Sequence, residues 1–122
     1  MRIFHIATAA DWAAAQESGS YTTSTLGLDL EQVGFIHAAH EHQWRSVKRR
    51  FYAEVYTSLL LLEIDTEFLH SPVLEERPTP DADQTFPHIY GPLNTSAVVG
   101  TRDITRRKLP RERRPAIARP LP

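Results

Sequence analysis

The feature that most constrains the fold is a short apolar segment that ends in a histidine and runs directly into an amphipathic segment. Residues 34–39, GFIHAA in one-letter code, include Phe35 and Ile36, which suit a covered, pleated surface. The sequence predicts a buried strand here, with His37 at its end. The small residues that follow, beginning with Ala38, leave room for a ligand to approach the backbone.

A helix is predicted directly after this strand, from His40 to about Tyr52. Trp44, Val47 and Phe51 recur at helical spacing on one face, and charged residues occupy the other faces. We therefore expect the helix to pack its aromatic face against the strand.

Length and composition indicate one small domain. A chain of 122 residues has room for a single hydrophobic core, and the absence of cysteine excludes disulfides and thiolate chemistry. No stretch is apolar enough to cross a bilayer, and the first residues lack the pattern of a signal peptide. We expect a cytoplasmic protein without a membrane partner.

The net charge of −1 hides an asymmetry along the chain. Residues 1–101 contain six Lys and Arg against thirteen Asp and Glu, whereas residues 102–122 contain eight against two. The acidic charge of residues 1–101 argues against a nucleic-acid partner, although the basic residues of 102–122 leave nucleic-acid binding open as an alternative. Because residues 105–122 contain four prolines and seven basic residues, the prediction is one domain, residues 1–104, followed by an extended or disordered tail.

The remaining elements are assigned from residue type and turn signals. Thr8 and Asp11 have the spacing of a helix N-terminus, and Gly19 should end that helix. Residues 21–30 show no period and predict an irregular loop. Further strands are predicted at residues 3–7, 58–64, 73–76, 86–93 and 97–104. Six short strands with two early helices indicate an α+β fold with a bent or split sheet.

Histidines are the main candidates for chemistry. His5 lies inside the first predicted strand, so it either makes a hydrogen bond in the core or faces a pocket, and His37 leaves the same alternatives. Because both lie on early strands, we expect them to share a cleft. His40 and His42 begin a helix, where they cannot converge with His37 on one ion, so no metal site is predicted.

The segment at residues 86–93, FPHIYGPL, places His88 and Tyr90 beside a glycine bend at Gly91. Prolines in this segment predict an edge or end strand. Tyr90 either caps the edge of the sheet or offers its ring for stacking a flat heterocycle. The sequence alone leaves both alternatives open.

Four segments together carry a resemblance to a known family: residues 4–6 (FHI), 34–38 (GFIHA), 62–65 (LEID) and 86–93 (FPHIYGPL). The chain resembles a family of small bacterial proteins of unknown function with an ADP-ribosyltransferase-like fold, near RNA 2′-phosphotransferases. The resemblance covers about residues 1–104 and does not include the basic tail.

The resemblance implies a split β core that grips NAD in a cleft. His5 matches a histidine that holds the nicotinamide-side ribose, and His37 matches a second residue that supports it, so these two are the implied catalytic residues. Ala38, His88 and Tyr90 complete the implied NAD-binding set. The late strand of this chain lacks the glutamate that relatives use to polarise a ribose hydroxyl as the bond to nicotinamide breaks.

Two functions remain open at this point. One is binding of NAD or an ADP-ribose-type nucleotide with transfer of ADP-ribose to an unidentified acceptor, which the paired histidines favour. The other is a non-catalytic nucleotide sensor or interaction module, which the missing glutamate favours. The sequence does not determine the oligomeric state.

Overall fold

The computed structural model describes residues 1–106. The elements of this part of the chain, in order, are β1 (Arg2–Thr8), α1 (Ala9–Ser18), β2 (Ser20–Tyr21), β3 (Thr23–Thr25), β4 (Leu28–Asp29), α2 (Leu30–Val33), β5 (Ile36–His37), α3 (Trp44–Phe51), β6 (Leu59–Asp65), β7 (Val73–Glu76), β8 (Phe86–Ile89), β9 (Leu93–Asn94) and β10 (Val98–Asp103). Short 3₁₀ turns at Thr66–Phe68 and Thr95–Ala97 follow β6 and β9. The chain therefore has a mixed α+β fold.

The largest sheet places β6 between β1 and β10, and all its strands are antiparallel. Leu59 and Leu61 on one face of β6 and Leu62 and Ile64 on the other are all buried. Each pair belongs to a different hydrophobic cluster. Strand β6 is thus covered on both faces, and the strand predicted at residues 58–64 is confirmed.

A second antiparallel sheet has the order β5-β8-β7. One row of aligned residues is apolar and packs in the larger core: Ile36, Ile89 and Val73. The next row along the strands belongs to the opposite face: His37, His88 and Leu74. Because side chains alternate along a strand, the core fixes which residues this second face presents, and we call it the outer face.

A backbone bridge joins β1 to the segment that follows β5. The N–H of Phe4 donates to the carbonyl of Ala39 at 2.7 Å, and the N–H of Ala39 donates to the carbonyl of Phe4 at 2.7 Å. The two sheets are therefore held in a fixed relation beside His37.

Helix α1 begins and ends where the sequence predicts. Oγ1 of Thr8 accepts from the N–H of Asp11 at 3.1 Å, and Gly19 ends the helix with a φ of 85°. Helix α2 was missed because four residues are too short to show a period. Its signal was the Asp29 and Gln32 spacing, which forms a capping box in the structure.

Two predicted boundaries are wrong. Helix α3 begins at Trp44 and not at His40, because the side chain of Gln43 accepts the N–H of His40 at 2.9 Å and donates to the carbonyl of Thr85 at 2.9 Å. These bonds hold residues 40–43 in a turn against the start of β8. The predicted loop at residues 21–30 contains short strands, which pair with each other and with β9.

The prediction of an edge strand at residues 86–93 is also wrong, because β8 lies in the middle of its sheet. Pro87 is accommodated because β5 ends beside it. The carbonyl of Pro87 accepts from the N–H of Ala38 at 3.0 Å, and the missing N–H of the proline ends the ladder at that point.

The predicted tail lies outside the described residues, apart from Thr105 and Arg106. Oγ1 of Thr105 accepts from the N–H of Leu59 at 3.1 Å, so this residue belongs to the folded body. Within residues 1–106, no helix has the length and apolar character needed to cross a membrane.

Gly91 follows β8 with a φ of 146°, and a Cβ built there collides with the side chain of Ser71. We expect Gly91→Ala to lower the free energy of unfolding by about 1–3 kcal/mol, because it adds backbone strain and a clash. Gly100→Ala is the matched control, since its Cβ would lie 3.7 Å from Oε1 of Glu63, an ordinary contact. Denaturant unfolding measures both variants, and equal losses of stability would contradict this account of the bend.

Candidate functional site

The outer face carries four packed aromatic rings, which we call the ring cluster. Phe35 stacks on His88 with centroids 4.0 Å apart and planes 18° from parallel. His37 meets both rings edge-on, at 4.9 Å from Phe35 and 5.3 Å from His88. Tyr90 lies 5.4 Å from Phe35. The cluster brings together side chains from β5, β8 and the residues next to them.

His88 is the buried member of the cluster, with 3% of its surface exposed. Its Nδ1 lies 2.8 Å from Oε1 of Glu76. A carboxylate can only accept, so Nδ1 carries the proton. Nε2 is buried and has no hydrogen-bond partner within residues 1–106. Leaving such an atom unpaired costs about 1–3 kcal/mol, which marks it as a candidate for function.

Glu76 reaches the cluster from β7. Its Oε1 accepts a second hydrogen bond from the hydroxyl of Tyr90 at 2.5 Å. The bonds from Tyr90 and His88 lower the pKa of Glu76, and the same carboxylate raises the pKa of Tyr90. Glu76 is therefore ionised and Tyr90 is protonated near neutral pH.

His37 is the exposed imidazole of the cluster. Loss of hydration among the neighbouring rings lowers its pKa, and the nearby His88 lowers it further. The ring is therefore neutral near pH 7 and offers one donor and one acceptor. Within residues 1–106 no hydrogen bond occupies its nitrogens, so both can bind a ligand.

His5 lies beside the free edge of β5, inside the protein. Its Nδ1 donates to the carbonyl of His37 at 2.5 Å, and its Nε2 accepts from the hydroxyl of Tyr21 at 2.9 Å. With 3% of its surface exposed, it is a core histidine with both nitrogens satisfied. Burial lowers the pKa of His5 to about 4, so it is neutral near pH 7.

The predicted site residues thus separate into two groups. His37, His88 and Tyr90 come together on the outer face. Ala38 is buried beside them. His5 touches the backbone of His37 but not the outer face, so the expected arrangement of two imidazoles lining one hollow is not what the structure shows.

Three residues of this region were not predicted from the sequence: Phe35, Glu76 and Tyr21. Phe35 and His37 are two positions apart in an extended segment and so share a face, a signal that was available. Glu75 and Glu76 are neighbours on β7, so alternation shows only that they face opposite sides of the strand. The contact of Glu76 with His88 depends on the pairing of β7 with β8, and the bond from Tyr21 to His5 likewise joins distant segments.

Two cavities lie away from the ring cluster. One, of about 330 Å³, is lined by Trp44, Arg45, Lys48, Arg49, Ile104 and Thr105. The other, of about 360 Å³, is lined by Thr22, Asp29, Leu30 and Glu31. The rings of His40 and His42 lie parallel, 6.0 Å apart, and residues 1–106 contain no group of three or more His, Asp or Glu placed to hold a metal ion.

The fold and the site define a small α+β domain whose second sheet presents histidine and aromatic rings. Residues 6–101 match the DUF952 family, described as proteins of unknown function, and the chain belongs to this family. No curated protein matches it.

Solved structures of protein CC0527 from Caulobacter crescentus are similar to this chain. The crystal structure is 27% identical, covers 84% of this chain and 85% of its own, and has a TM-score of 0.70. A crystal structure of a double mutant of CC0527 gives 26% identity, the same coverage and a TM-score of 0.70. Its solution structure is 25% identical, covers 85% of this chain and 84% of its own, and has a TM-score of 0.62.

The buried His5 makes stability depend on pH. Between pH 6.5 and 4 the unfolded chain binds a proton at this residue and the folded protein does not, so stability falls as the pH falls through this range. We expect a loss of about 3 kcal/mol from this group. His5→Gln should flatten the dependence, whereas His42→Gln, at an exposed histidine, should not. Urea unfolding at a series of pH values measures this, and an unchanged slope in His5→Gln would refute the assignment.

Proposed function

We propose that the outer face binds NAD or a related ADP-ribose-type nucleotide, with the ring cluster holding its nicotinamide-ribose end. The observation that carries this proposal is the exposed His37 beside the stacked Phe35 and His88, with Tyr90 at the margin. Such a surface suits a flat heterocycle, since stacking on an aromatic side chain contributes about 1–3 kcal/mol per base. The resemblance to ADP-ribosyltransferase-like proteins supports this ligand class.

Charge favours one orientation of the nucleotide. The carboxylate of Glu76 disfavours a nearby diphosphate and favours the positively charged nicotinamide ring of NAD. The faces of Phe35 and Tyr90 attract the same cation. The neutral His37 can exchange hydrogen bonds with ribose hydroxyls, because it offers both a donor and an acceptor. The diphosphate would therefore extend away from Glu76.

His5 supports this site from the free edge of β5. Its bond to the carbonyl of His37 fixes the backbone from which the exposed imidazole projects. In this proposal His5 does not contact ribose, in contrast to the role that the family resemblance implies for it.

Transfer of ADP-ribose to an unidentified acceptor is the reaction class that this ligand suggests. A nucleotide sensor without transferase activity is the second candidate. The absence of a glutamate from β8 favours the sensor. Release of nicotinamide distinguishes the two functions.

The proposal predicts that NAD binds and that NADH, which lacks the positive charge, binds at least about tenfold more weakly. His37→Ala should bind NAD about tenfold more weakly than the parent protein does. This factor corresponds to the loss of one hydrogen bond of about 1.4 kcal/mol. His42→Ala is the matched control and should bind as the parent protein does. Isothermal titration calorimetry with NAD, NADH and ADP-ribose measures the affinities, and chromatography of the reaction mixture detects free nicotinamide.

Three results would contradict the proposal. The first is no binding of NAD or ADP-ribose at millimolar concentration. The second is equal affinity for NAD and NADH, which would remove the argument from charge. The third is equal loss of affinity in His37→Ala and His42→Ala, which would place the ligand elsewhere.

A further inference from the structure

His88 is held in one orientation by a carboxylate and retains an uncommitted nitrogen. Nδ1 donates to Oε1 of Glu76 at 2.8 Å, and Nε2 has no hydrogen-bond partner among residues 1–106. In a neutral imidazole this arrangement leaves the lone pair on Nε2. A carboxylate that fixes the tautomer of a histidine in this way is the usual support of a general base.

We propose that His88 is the general base of ADP-ribosyl transfer in this protein and that Glu76 is its positioning residue. This inference rests on the proposed function and assigns the reacting groups of the same site. The late strand β8 has no glutamate of its own. The neighbouring strand β7 supplies a carboxylate to the same face through Glu76.

The proton balance of the step is simple. The bond between C1′ of the ribose and the nicotinamide nitrogen breaks, and its electron pair leaves with nicotinamide, which becomes neutral. The oxygen of an acceptor hydroxyl or of water bonds to C1′, and its proton passes to Nε2 of His88. The imidazolium that forms faces the carboxylate of Glu76 through its Nδ1–H, and it returns the proton to solvent after the product leaves.

Tyr90 and Phe35 have distinct parts in this arrangement. The hydroxyl of Tyr90 donates to the same oxygen of Glu76 at 2.5 Å, which holds the carboxylate toward His88. Phe35 stacks on one face of the imidazole, with ring centroids 4.0 Å apart, and Nε2 is buried, so the ring cluster must rearrange before an acceptor can reach that nitrogen. Gly34, with a φ of 100°, directly precedes Phe35, at the end of α2.

Two neighbouring glutamates provide a matched test. Glu76→Gln keeps an oxygen that can accept from Nδ1 but removes the negative charge. We expect NAD affinity to fall by about tenfold, because the charge that favours the nicotinamide cation is lost, and nicotinamide release at saturating NAD to be slower by about a hundredfold or more. Glu76→Asp should restore part of the rate. Glu75→Gln, on the other side of β7, where Glu75 contacts His40 and Thr85, should leave both quantities unchanged.

A second measurement needs no nucleotide. Long-range ¹H–¹⁵N spectra of the parent protein should show Nε2 of His88 without a proton and Nδ1 with one. Phe35→Ala should increase the rate at which diethyl pyrocarbonate modifies His88, because removing the stacked ring loosens the packing around the buried imidazole. His42, already exposed, should react equally fast in both proteins.

The outcomes separate the two proposals. Failure of all nucleotide binding overturns the proposed function, and the inference with it. NAD binding without nicotinamide release by the parent protein overturns the general-base assignment and leaves a sensor. Equal rates in Glu76→Gln and Glu75→Gln, or a proton on Nε2 of His88 instead of Nδ1, also overturn the assignment while nucleotide binding stands.

Discussion

The contact between β1 and the free edge of β5 is the interaction on which the rest of the site depends. The paired backbone bonds of Phe4 and Ala39 and the bond from His5 to the carbonyl of His37 lie side by side along this edge. They fix a strand of only two residues, which would otherwise have little to hold it in place. Tyr21 completes the arrangement by satisfying the second nitrogen of His5.

Because β5 is fixed, the apolar row of the second sheet determines what its outer face presents. Ile36 and Ile89 are fully buried, and a shift of the β5–β8 pairing by one residue would move one of them out of the core. The same register places His37 opposite His88. The geometry of the ring cluster is therefore a consequence of core packing. The contacts among its rings are not needed to set the positions of the strands.

The sequence was informative where the signal is local. The capping residue Thr8, the terminating Gly19 and the apolar run of β6 each act through neighbours along the chain, and the structure confirms them. Residues whose role depends on strand pairing were not accessible in this way. Alternation shows that Glu75 and Glu76 face opposite sides, but only the pairing of β7 with β8 shows which of them meets His88. The middle position of β8 was missed for the same reason, since a proline signals an edge unless a neighbouring strand ends beside it.

His5 and His37 show why a histidine motif does not by itself identify ligand contacts. Both rings lie next to the same peptide unit, yet one has each nitrogen bound within the protein and the other is exposed. Burial keeps His5 neutral, and a neutral imidazole with a donor and an acceptor can join a carbonyl to a hydroxyl, as it does here. The same two capacities in His37 remain available to solvent. The two histidines of this chain therefore differ in what they do: His5 fixes the backbone of β5, whereas the ring of His37 projects from that backbone with both nitrogens unbonded within residues 1–106.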